Sequence, residues 1–281
     1  MADIRDARPT DLPWVFELLA ARDRAATGTA EVKYDDLAQG WESKSTDRYV
    51  TDDGGYGALN ASGELVVAGS HPDALLARIE RRARERGLPL LTAVVVDGDT
   101  PSGELVRRAG YVQRGEVLRM WRQLDGALPD PAWPDGVRVR TYRPEDAARL
   151  HALLDEAYGA WDDTYVARPL DVWLADMTSH DDFDPKLWFL AERDGTLAGC
   201  ALHWAVDRGD GWLKDLVVRA GARGTGLGTA LVQHGLREYA DRGAARVGLK
   251  VDSTNPTGAV QLYERTGFEI ERRYAIWLKQ L

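Results

Sequence analysis

The chain has 281 residues, of which 44% are hydrophobic and 29% charged, and this composition fits a globular protein with an ample core. Its formal net charge of −9 argues against a nucleic-acid or anionic-membrane partner, because both favour a basic protein face. The single cysteine, Cys200, excludes an internal disulfide, no apolar run reaches the length of a membrane span, and the first residues do not resemble a signal peptide. We therefore expect a cytoplasmic protein.

An internal repeat organises the chain. Residues 4–19 (IRDARPTDLPWVFELL) line up with residues 139–154 (VRTYRPEDAARLHALL), and each predicts a short strand and then a helix with proline in its first turn, where proline is tolerated. Residues 76–121 likewise match residues 230–277: a helix ends at Arg-Gly, a buried strand follows, and a second short helix leads into a strand with a late tryptophan. Both halves therefore predict the same order of elements.

A proline-rich segment separates the two copies. Residues 124–136 (LDGALPDPAWPDG) contain three prolines and no periodicity, so neither a helix nor a strand is expected to run through them. We predict two related domains, 1–123 and 137–281, joined by this linker. Because strands and helices alternate in both copies, the predicted fold class is α/β.

The two copies differ in the middle. Residues 187–228 predict three strands separated by Asp-Gly turns, at Asp194 and Asp210, followed by a glycine-rich loop. Residues 56–79 predict only two strands and then pass directly into a helix near His71. We therefore expect the first copy to lack one strand and the whole glycine loop.

The stretch Arg223–Thr229 (RGTGLGT) places glycines between a predicted strand and a predicted helix. The first N–H groups of a helix have no partner inside it and lie at the positive end of its dipole, so without side chains around them they can close on a phosphate or pyrophosphate. The stretch lacks the Gly-Lys-Ser/Thr ending of a nucleoside-triphosphate loop, and Thr229 replaces the last glycine of a dinucleotide-binding turn. An ordinary flexible loop remains the alternative.

Two motifs of the second half together resemble the GNAT superfamily of acetyl-coenzyme A-dependent N-acetyltransferases. The first is Arg-x-x-Gly-x-Gly, which begins at Arg223 after LKDLVV, and the second runs from Asn255 through Tyr263 to Gly267 and Phe268. The resemblance covers the whole second half and, as a reduced copy, the first; the tandem arrangement also resembles the mycothiol synthase family. It implies two tandem GNAT-like domains, each with a mixed, splayed β-sheet flanked by helices, of which the N-terminal one is degenerate and the C-terminal one catalytic.

The resemblance also implies acetyl-CoA as co-substrate. In this family a strand pairs with the pantetheine arm, the glycine loop binds the pyrophosphate, and an asparagine and a tyrosine lie beside the thioester. Transferred to this sequence, the cofactor-binding residues are Leu216, Val217, Val218, Arg223, Gly224, Thr225, Gly226, Leu227, Gly228, Thr229, Asn255 and Tyr263. No metal is expected, because five histidines and one cysteine are scattered without ligand spacing.

Tyr263 is the candidate general acid. A phenol, with a pKa near ~10, is protonated at neutral pH and can donate its proton to a departing thiolate. The alternative is a core tyrosine on a short helix. The aligned residue of the first half is Val106, which can donate nothing. The oxyanion of the tetrahedral intermediate is expected to meet a backbone N–H of the splayed strand, that of Val218.

Asp215 is the candidate general base for the acceptor ammonium, on the strand expected beside the thioester. The alternative is a structural carboxylate paired with Lys214 or Arg219. His203 titrates in a useful range and is a candidate for substrate binding, although a lone histidine on an apolar strand is also typical of a core residue. Cys200 has no favourably placed histidine and is a poor nucleophile.

The acceptor of GNAT folds meets the segment after the first strand, here residues 155–188. Its aromatic residues, of which Trp161, Tyr165 and Trp173 are candidate substrate contacts, suit a cationic amine together with carboxylates. A solvated acidic face is the alternative. The nine carboxylates of the segment are Asp155, Glu156, Asp162, Asp163, Asp171, Asp176, Asp181, Asp182 and Asp184.

These observations predict direct transfer of an acetyl group from acetyl-CoA to a primary amine of a small, cationic acceptor in a ternary complex. Two other functions stay open: a non-catalytic acyl-CoA-binding or regulatory module, and a protein-lysine acetyltransferase. The expected partner is the small-molecule amine, with neither nucleic acid nor membrane, and the protein is expected to be a monomer or a homodimer.

Overall fold

The computed structural model describes residues 3–41, 45–161, 165–207 and 209–281. Strands and helices alternate in a mixed α/β fold, which confirms the predicted fold class. The helices are α1 (Leu12–Thr27), α2 (Tyr34–Trp41), α3 (Pro72–Glu85), α4 (Thr100–Arg108), α5 (Ala147–Gly159), α6 (Leu170–Thr178), α7 (Leu227–Asp241) and α8 (Ala259–Arg265). The strands are β1 (Ile4–Asp6), β2 (Asp47–Thr51), β3 (Gly55–Leu59), β4 (Glu64–Gly69), β5 (Leu90–Val96), β6 (Val112–Gln123), β7 (Val137–Thr141), β8 (Phe183–Arg193), β9 (Thr196–Asp207), β10 (Asp210–Val218), β11 (Arg246–Asp252) and β12 (Glu269–Gln280).

The chain divides into two compact units. Unit 1 contains residues Met1–Val117 and Arg272–Leu281, and unit 2 contains Leu118–Glu271. In the part of the chain that the structure describes, no helix is both long and apolar enough to cross a membrane.

The boundaries of these units differ from the contiguous domains expected from the sequence. The C-terminal segment from Arg272 belongs to unit 1, where β12 pairs antiparallel with β5, from Tyr274 opposite Val96 to Gln280 opposite Leu90. Conversely, β6 continues beyond Val117 into unit 2. A repeat in sequence gives the order of elements, whereas strand pairing over long sequence separations decides which unit a terminal strand joins.

The sheet of unit 1 has the strand order β1-β2-β3-β4-β5-β12, in which β4 and β5 are parallel. The expectation that this copy lacks a strand is wrong. Asp47–Thr51 forms β2, which pairs with β3 from Asp47 opposite Leu59 to Thr51 opposite Gly55. The segment is short and shows no clean alternation, so it gives no strand signal of its own, and its pairing with two neighbours stabilises it.

The sheet of unit 2 has the order β6-β11-β10-β9-β8-β7. On one face, α5 and α6 cover a core that includes Trp188 and Leu202. On the other face, α7 and α8 cover a second core around Leu231 and Leu249. Residues 124–136, all of which the structure describes, contain neither helix nor strand. The turn expected at Asp210 instead precedes this residue, because Asp210 is already the first residue of β10.

The internal repeat recurs as one local structure at the start of α1 and of α5. In unit 1, Asp11 accepts hydrogen bonds from the Arg5 guanidinium at 2.7 and 2.9 Å and from the backbone N–H of Arg8 at 2.7 Å. In unit 2, Asp146 accepts the same set from Arg140 and the Arg143 N–H. The guanidinium holds the pKa of each carboxyl below its usual range, since it stabilises the charged form.

Candidate active site

Two parallel strands of unit 2 separate to open a cleft. β10 and β11 pair only from Asp210 opposite Arg246 to Leu213 opposite Leu249, although both strands continue. The divergence begins at a β-bulge, because on the other edge of β10 Leu213 pairs with His203 whereas Asp215 pairs with Leu202. Lys214 is the extra residue, and such a bulge redirects side chains and ends pairing.

The backbone of β10 presents hydrogen-bonding groups to this cleft. The N–H of Arg219 donates to the carbonyl oxygen of Ala198 at 2.9 Å, in register with the β9–β10 ladder. Because backbone groups alternate in direction along an antiparallel strand, those of Leu216 and Val218 turn away from β9 toward the cleft. An extended ligand arm can therefore pair with β10 as an additional strand would.

A cavity of about 750 Å³ occupies the cleft. It brings together most of the residues singled out in the sequence, from β10, the glycine loop and α8. Its lining is Ala157, Tyr158, Trp161, Leu213, Lys214, Asp215, Leu216, Val217, Val218, Ala222, Arg223, Gly224, Gly226, Leu227, Gly228, Thr229, Lys250, Val251, Asp252, Asn255, Thr257, Gly258, Ala259, Gln261, Leu262, Tyr263 and Arg265.

The glycine loop shapes one end of the cavity. Gly224 and Gly226 have φ angles of +76° and +89°, which other residues adopt only with strain, and Gly226 is the N-cap of α7. Gly228 is closely packed, since a Cβ there would lie 2.9 Å from Cδ1 of Leu262 on α8 and that side chain would have to shift. The loop therefore turns tightly and exposes the first N–H groups of α7 to the cavity.

Two polar side chains of this loop bond to its own backbone. The Nε of Arg223 donates to the Val218 carbonyl at 3.1 Å, and the Thr225 hydroxyl donates to the Ala222 carbonyl at 2.8 Å. The cavity lining carries four cationic side chains (Lys214, Arg223, Lys250 and Arg265) and two carboxylates (Asp215 and Asp252), a balance that favours an anionic ligand.

Asn255 lies in the lining after β11. Its side-chain oxygen accepts hydrogen bonds from the backbone N–H of Thr257 at 2.9 Å and from the Thr257 hydroxyl at 2.6 Å. The carbonyl end of the amide is thus used to shape the loop, which leaves the NH₂ end available as a donor.

Tyr263 reaches the cavity from α8. Its side chain is 6% exposed and packs edge-to-face on Phe268, with ring centroids 5.7 Å apart. Among the described residues none hydrogen-bonds its hydroxyl, so the proton is available to a ligand. Burial, and then the nearby Asp215, raise the pKa of Tyr263 above its ordinary value, because both disfavour the phenolate.

Asp215 lines the same cavity and has a partner that sequence reasoning missed. The Tyr158 hydroxyl donates to Oδ1 of Asp215 at 2.5 Å, and the Lys214 Nζ lies 3.8 Å from Oδ2. Arg219, the other expected partner, pairs with Glu156 at 2.8 Å. Tyr158 belongs to the aromatic segment recognised in the sequence, but no local pattern distinguishes it from its neighbours, because its partner is distant in the chain.

The three aromatic residues predicted to contact the acceptor lie in different environments. Trp161 lines the cavity. Tyr165 stacks on Tyr158, with ring centroids 5.6 Å apart, and its hydroxyl donates to Asp155. The prediction for Trp173 is not supported, because this residue is buried in the α5–α6 core against Trp188 and away from the cavity.

The acidic segment does not form an acidic wall of the cavity. None of its described carboxylates is among the lining residues. Asp162 and Asp163 lie outside the described residues. Four of the others bond to side chains elsewhere: Asp155 (with Tyr165), Glu156 (with Arg219), Asp176 (with Arg168) and Asp184 (with Arg242).

His203 also lies away from the cavity, which contradicts its assignment to substrate binding. It is 1% exposed and faces α7, where Gly235 leaves the space for its ring. Burial lowers the pKa of His203 to about 3, so the imidazole is neutral. Cys200 is likewise fully buried, and burial raises its thiol pKa, which disfavours the reactive thiolate. Within the described residues, no group of three or more metal-ligating side chains is present.

Comparisons with known proteins agree with this geometry. Residues 147–268 match the family described as Acetyltransferase (GNAT) family. A mycothiol acetyltransferase of Thermomonospora curvata is 37% identical over 233 residues, which cover 77% of this chain and 72% of that protein. The chain belongs to the GNAT family of acetyltransferases. A mycothiol acetyltransferase of Kineococcus radiotolerans is 40% identical over 225 residues, covering 73% of this chain and 68% of the relative.

Solved GNAT structures have the same fold. A GCN5-related N-acetyltransferase from Sphaerobacter thermophilus superposes with a TM-score of 0.80 at 27% identity and covers 99% of this chain and 95% of its own. A tandem GNAT protein from the clavulanic acid biosynthesis pathway gives a TM-score of 0.73 at 19% identity, over 100% of this chain and 98% of its own. The chain is therefore an N-acetyltransferase with the GNAT fold, as the sequence predicted.

Proposed function

We propose that this GNAT protein transfers the acetyl group of acetyl-CoA directly to a primary amine of a small acceptor, within a ternary complex. The observation that supports this most strongly is the convergence on one cavity of four features: splayed strands, the start of α7, a tyrosine whose hydroxyl has no partner among the described residues, and a carboxylate. Each corresponds to one requirement of acetyl transfer.

Acetyl-CoA fits the cavity in one direction. The N–H groups at the start of α7 and the side chain of Arg223 hold the pyrophosphate, because a helix N-terminus and a cation both attract anions. The pantetheine arm lies along Leu216–Val218, where the backbone groups of Leu216 face the cleft and pair with it. The NH₂ of Asn255 donates to a pantetheine carbonyl.

The chemistry follows from the order of these groups. Asp215 accepts a proton from the acceptor ammonium, and the neutral amine attacks the thioester carbonyl. The N–H of Val218 stabilises the oxyanion, since β10 turns this group toward the cleft. Tyr263 donates its proton to the departing thiolate, and its raised pKa keeps that proton in place until transfer. No covalent bond to the enzyme is needed.

We propose a cationic acceptor because the lining near Asp215 combines its carboxylate with the rings of Tyr158 and Trp161. This pairing recognises an ammonium group by charge and by its attraction to aromatic faces. The relatives named mycothiol acetyltransferase make mycothiol without its acetyl group a specific compound to test.

A thiol-release assay tests this proposal. Acetyl-CoA is incubated with a panel of amines: mycothiol without its acetyl group, amino sugars, polyamines and a lysine-containing peptide. We expect thiol release with a small amine, in equal amount to the N-acetylated product measured by mass spectrometry. Binding of acetyl-CoA by calorimetry without turnover of any amine would instead identify a binding module, and turnover of the peptide alone a protein-lysine acetyltransferase.

A further inference from the structure

One face of α5 carries three polar residues. His151, Asp155 and Tyr158 are spaced four and then three residues apart, so they lie along one face of the helix. Tyr158 is the last of them and lines the cavity. Its hydroxyl, 2.5 Å from Oδ1 of Asp215, connects α5 to the bulged part of β10.

The ring of Tyr158 is held in place from behind. Tyr165 stacks on it at an interplanar angle of 26°. Tyr165 is itself anchored, because its hydroxyl donates to Oδ1 of Asp155 at 2.5 Å, and Nδ1 of His151 lies 3.4 Å from Oδ2 of the same carboxylate. Two tyrosines and two carboxylates therefore form an ordered pair of hydrogen bonds joined by a ring stack.

This arrangement leaves the two oxygens of Asp215 in different situations. Oδ1 accepts the hydrogen bond from Tyr158, and the closest cation to Oδ2 is the Lys214 ammonium at 3.8 Å. That separation is longer than a hydrogen bond. The Asp215 side chain is only 10% exposed, so its orientation decides whether Oδ2 can meet an ammonium group in the cavity.

We propose that Tyr158 is a positioning residue: its hydrogen bond fixes the carboxylate of Asp215 so that Oδ2 faces the ammonium group of the acceptor. The inference rests on the proposed function and deepens it. One proton moves in this step, from the acceptor nitrogen to Oδ2, and the Tyr158 proton stays on its own oxygen.

The two tyrosines of the cavity therefore have separate tasks. Tyr158 gives its hydrogen bond to Asp215, so its proton is already engaged by this carboxylate and is not offered to the thiolate. Tyr263 has a hydroxyl without a partner among the described residues and faces the same cavity. Tyr158 orients the carboxylate that accepts the proton of the amine, and Tyr263 donates a proton to the departing thiolate.

The test is Tyr158→Phe, with Tyr142→Phe as the matched control. Tyr142 is buried in the α5–α6 core against which Tyr158 packs, so its variant loses a hydroxyl in the same region without touching Asp215. We expect Tyr158→Phe to lower kcat/KM for the best amine about 10- to 100-fold, the range for loss of a hydrogen bond to a charged group. The dissociation constant of acetyl-CoA should stay within about twofold of the wild type, and Tyr142→Phe should keep full activity.

A double-mutant cycle distinguishes positioning from general destabilisation. In the Asp215→Asn background, the Tyr158→Phe substitution should change kcat/KM less than about twofold, because the group that it positions is already lost. Equal losses in both backgrounds, or an equal loss with Tyr142→Phe, would overturn the inference while leaving acetyl transfer intact. A wild-type enzyme that releases no thiol with any amine would overturn the proposed function and this inference together.

Discussion

Units 1 and 2 contain the same splayed pair of parallel strands, yet their clefts differ greatly in size. In unit 1, β4 and β5 pair only at Glu64 opposite Thr92 and Leu65 opposite Ala93, and then diverge as β10 and β11 do in unit 2. The cavity in the unit 1 cleft is about 100 Å³, against about 750 Å³ in unit 2.

The connection after the first splayed strand accounts for much of this difference. In unit 1, only Ser70 and His71 separate β4 from α3, whereas in unit 2 the segment from Arg219 to Gly226 separates β10 from α7. Val106 lines the smaller cavity, at the position aligned with Tyr263. Diverging strands thus provide a cleft, and the loop and the tyrosine add the groups to which the proposed function assigns a phosphate-bearing acyl donor.

The largest effect is expected from Tyr263→Phe. Loss of the proton donor should lower kcat at least about 100-fold, the lower end of the range for general acid catalysis, and leave the dissociation constant of acetyl-CoA nearly unchanged. Steady-state kinetics and calorimetry measure the two quantities. Tyr111→Phe, the same change at a buried tyrosine of unit 1, should keep the wild-type kcat. A normal kcat in Tyr263→Phe would mean that Tyr263 has a structural role in the core and is not the general acid.

A smaller loss is expected from Gly226→Val. A β-branched residue at a φ of +89° strains the N-cap of α7 by about 1–3 kcal/mol and turns its N–H groups, so acetyl-CoA should bind about tenfold or more weakly. Gly87→Val is the control in unit 1: its φ is +68°, and at both glycines a Cβ would meet no described atom within 4 Å beyond the glycine and its neighbours in the chain. Equal weakening of acetyl-CoA binding by both variants would show that strain alone, and not the loop, affects affinity.

The pH dependence of kcat tests the environment of Tyr263, whose aligned residue in unit 1 does not titrate. Because burial and Asp215 raise the pKa of Tyr263, the protonated form persists above the ordinary phenol pKa of about 10. We expect kcat to show no decrease from loss of this proton up to about pH 10. A basic limb near pH 9 that disappears in Tyr263→Phe would contradict this expectation.

The smallest effect is expected at His203. This buried histidine of unit 2 has no counterpart in the described core of unit 1. Its pKa is lowered to about 3 in the folded state. Below the ordinary histidine pKa of about 6.5 the unfolded chain therefore binds a proton at His203 that the folded chain does not, and the folded state loses stability as the pH falls from about 6.5 toward 3. Between pH 7 and pH 5, His203→Leu should therefore lose about 2–5 °C less in Tm than the wild type. Thermal unfolding at both pH values measures this difference. A loss of activity at pH 7 in the folded His203→Leu variant would support the original assignment of His203 to substrate binding.

Sequence reasoning predicted those parts of the candidate site that depend on neighbours in the chain. The proposed roles of the glycine loop, Asn255 and Tyr263 rest on turn geometry and short spacings, and these residues, Thr225 excepted, line one cavity. It failed for Trp173 and His203, whose types suit a binding site but whose side chains are buried in the cores. Which face of a strand or helix is covered depends on elements far away in sequence, so residue type alone could not exclude them.

By itself, the sequence determined that the chain is an α/β repeat with a glycine-rich loop in its second half, because local periodicity, proline and glycine limit the backbone directly. Only the tertiary structure decided that the last strand joins the first unit and that Tyr158 holds Asp215. Both are contacts between residues far apart in the chain, which the packing of whole helices and strands brings together, so no local sequence pattern predicts them.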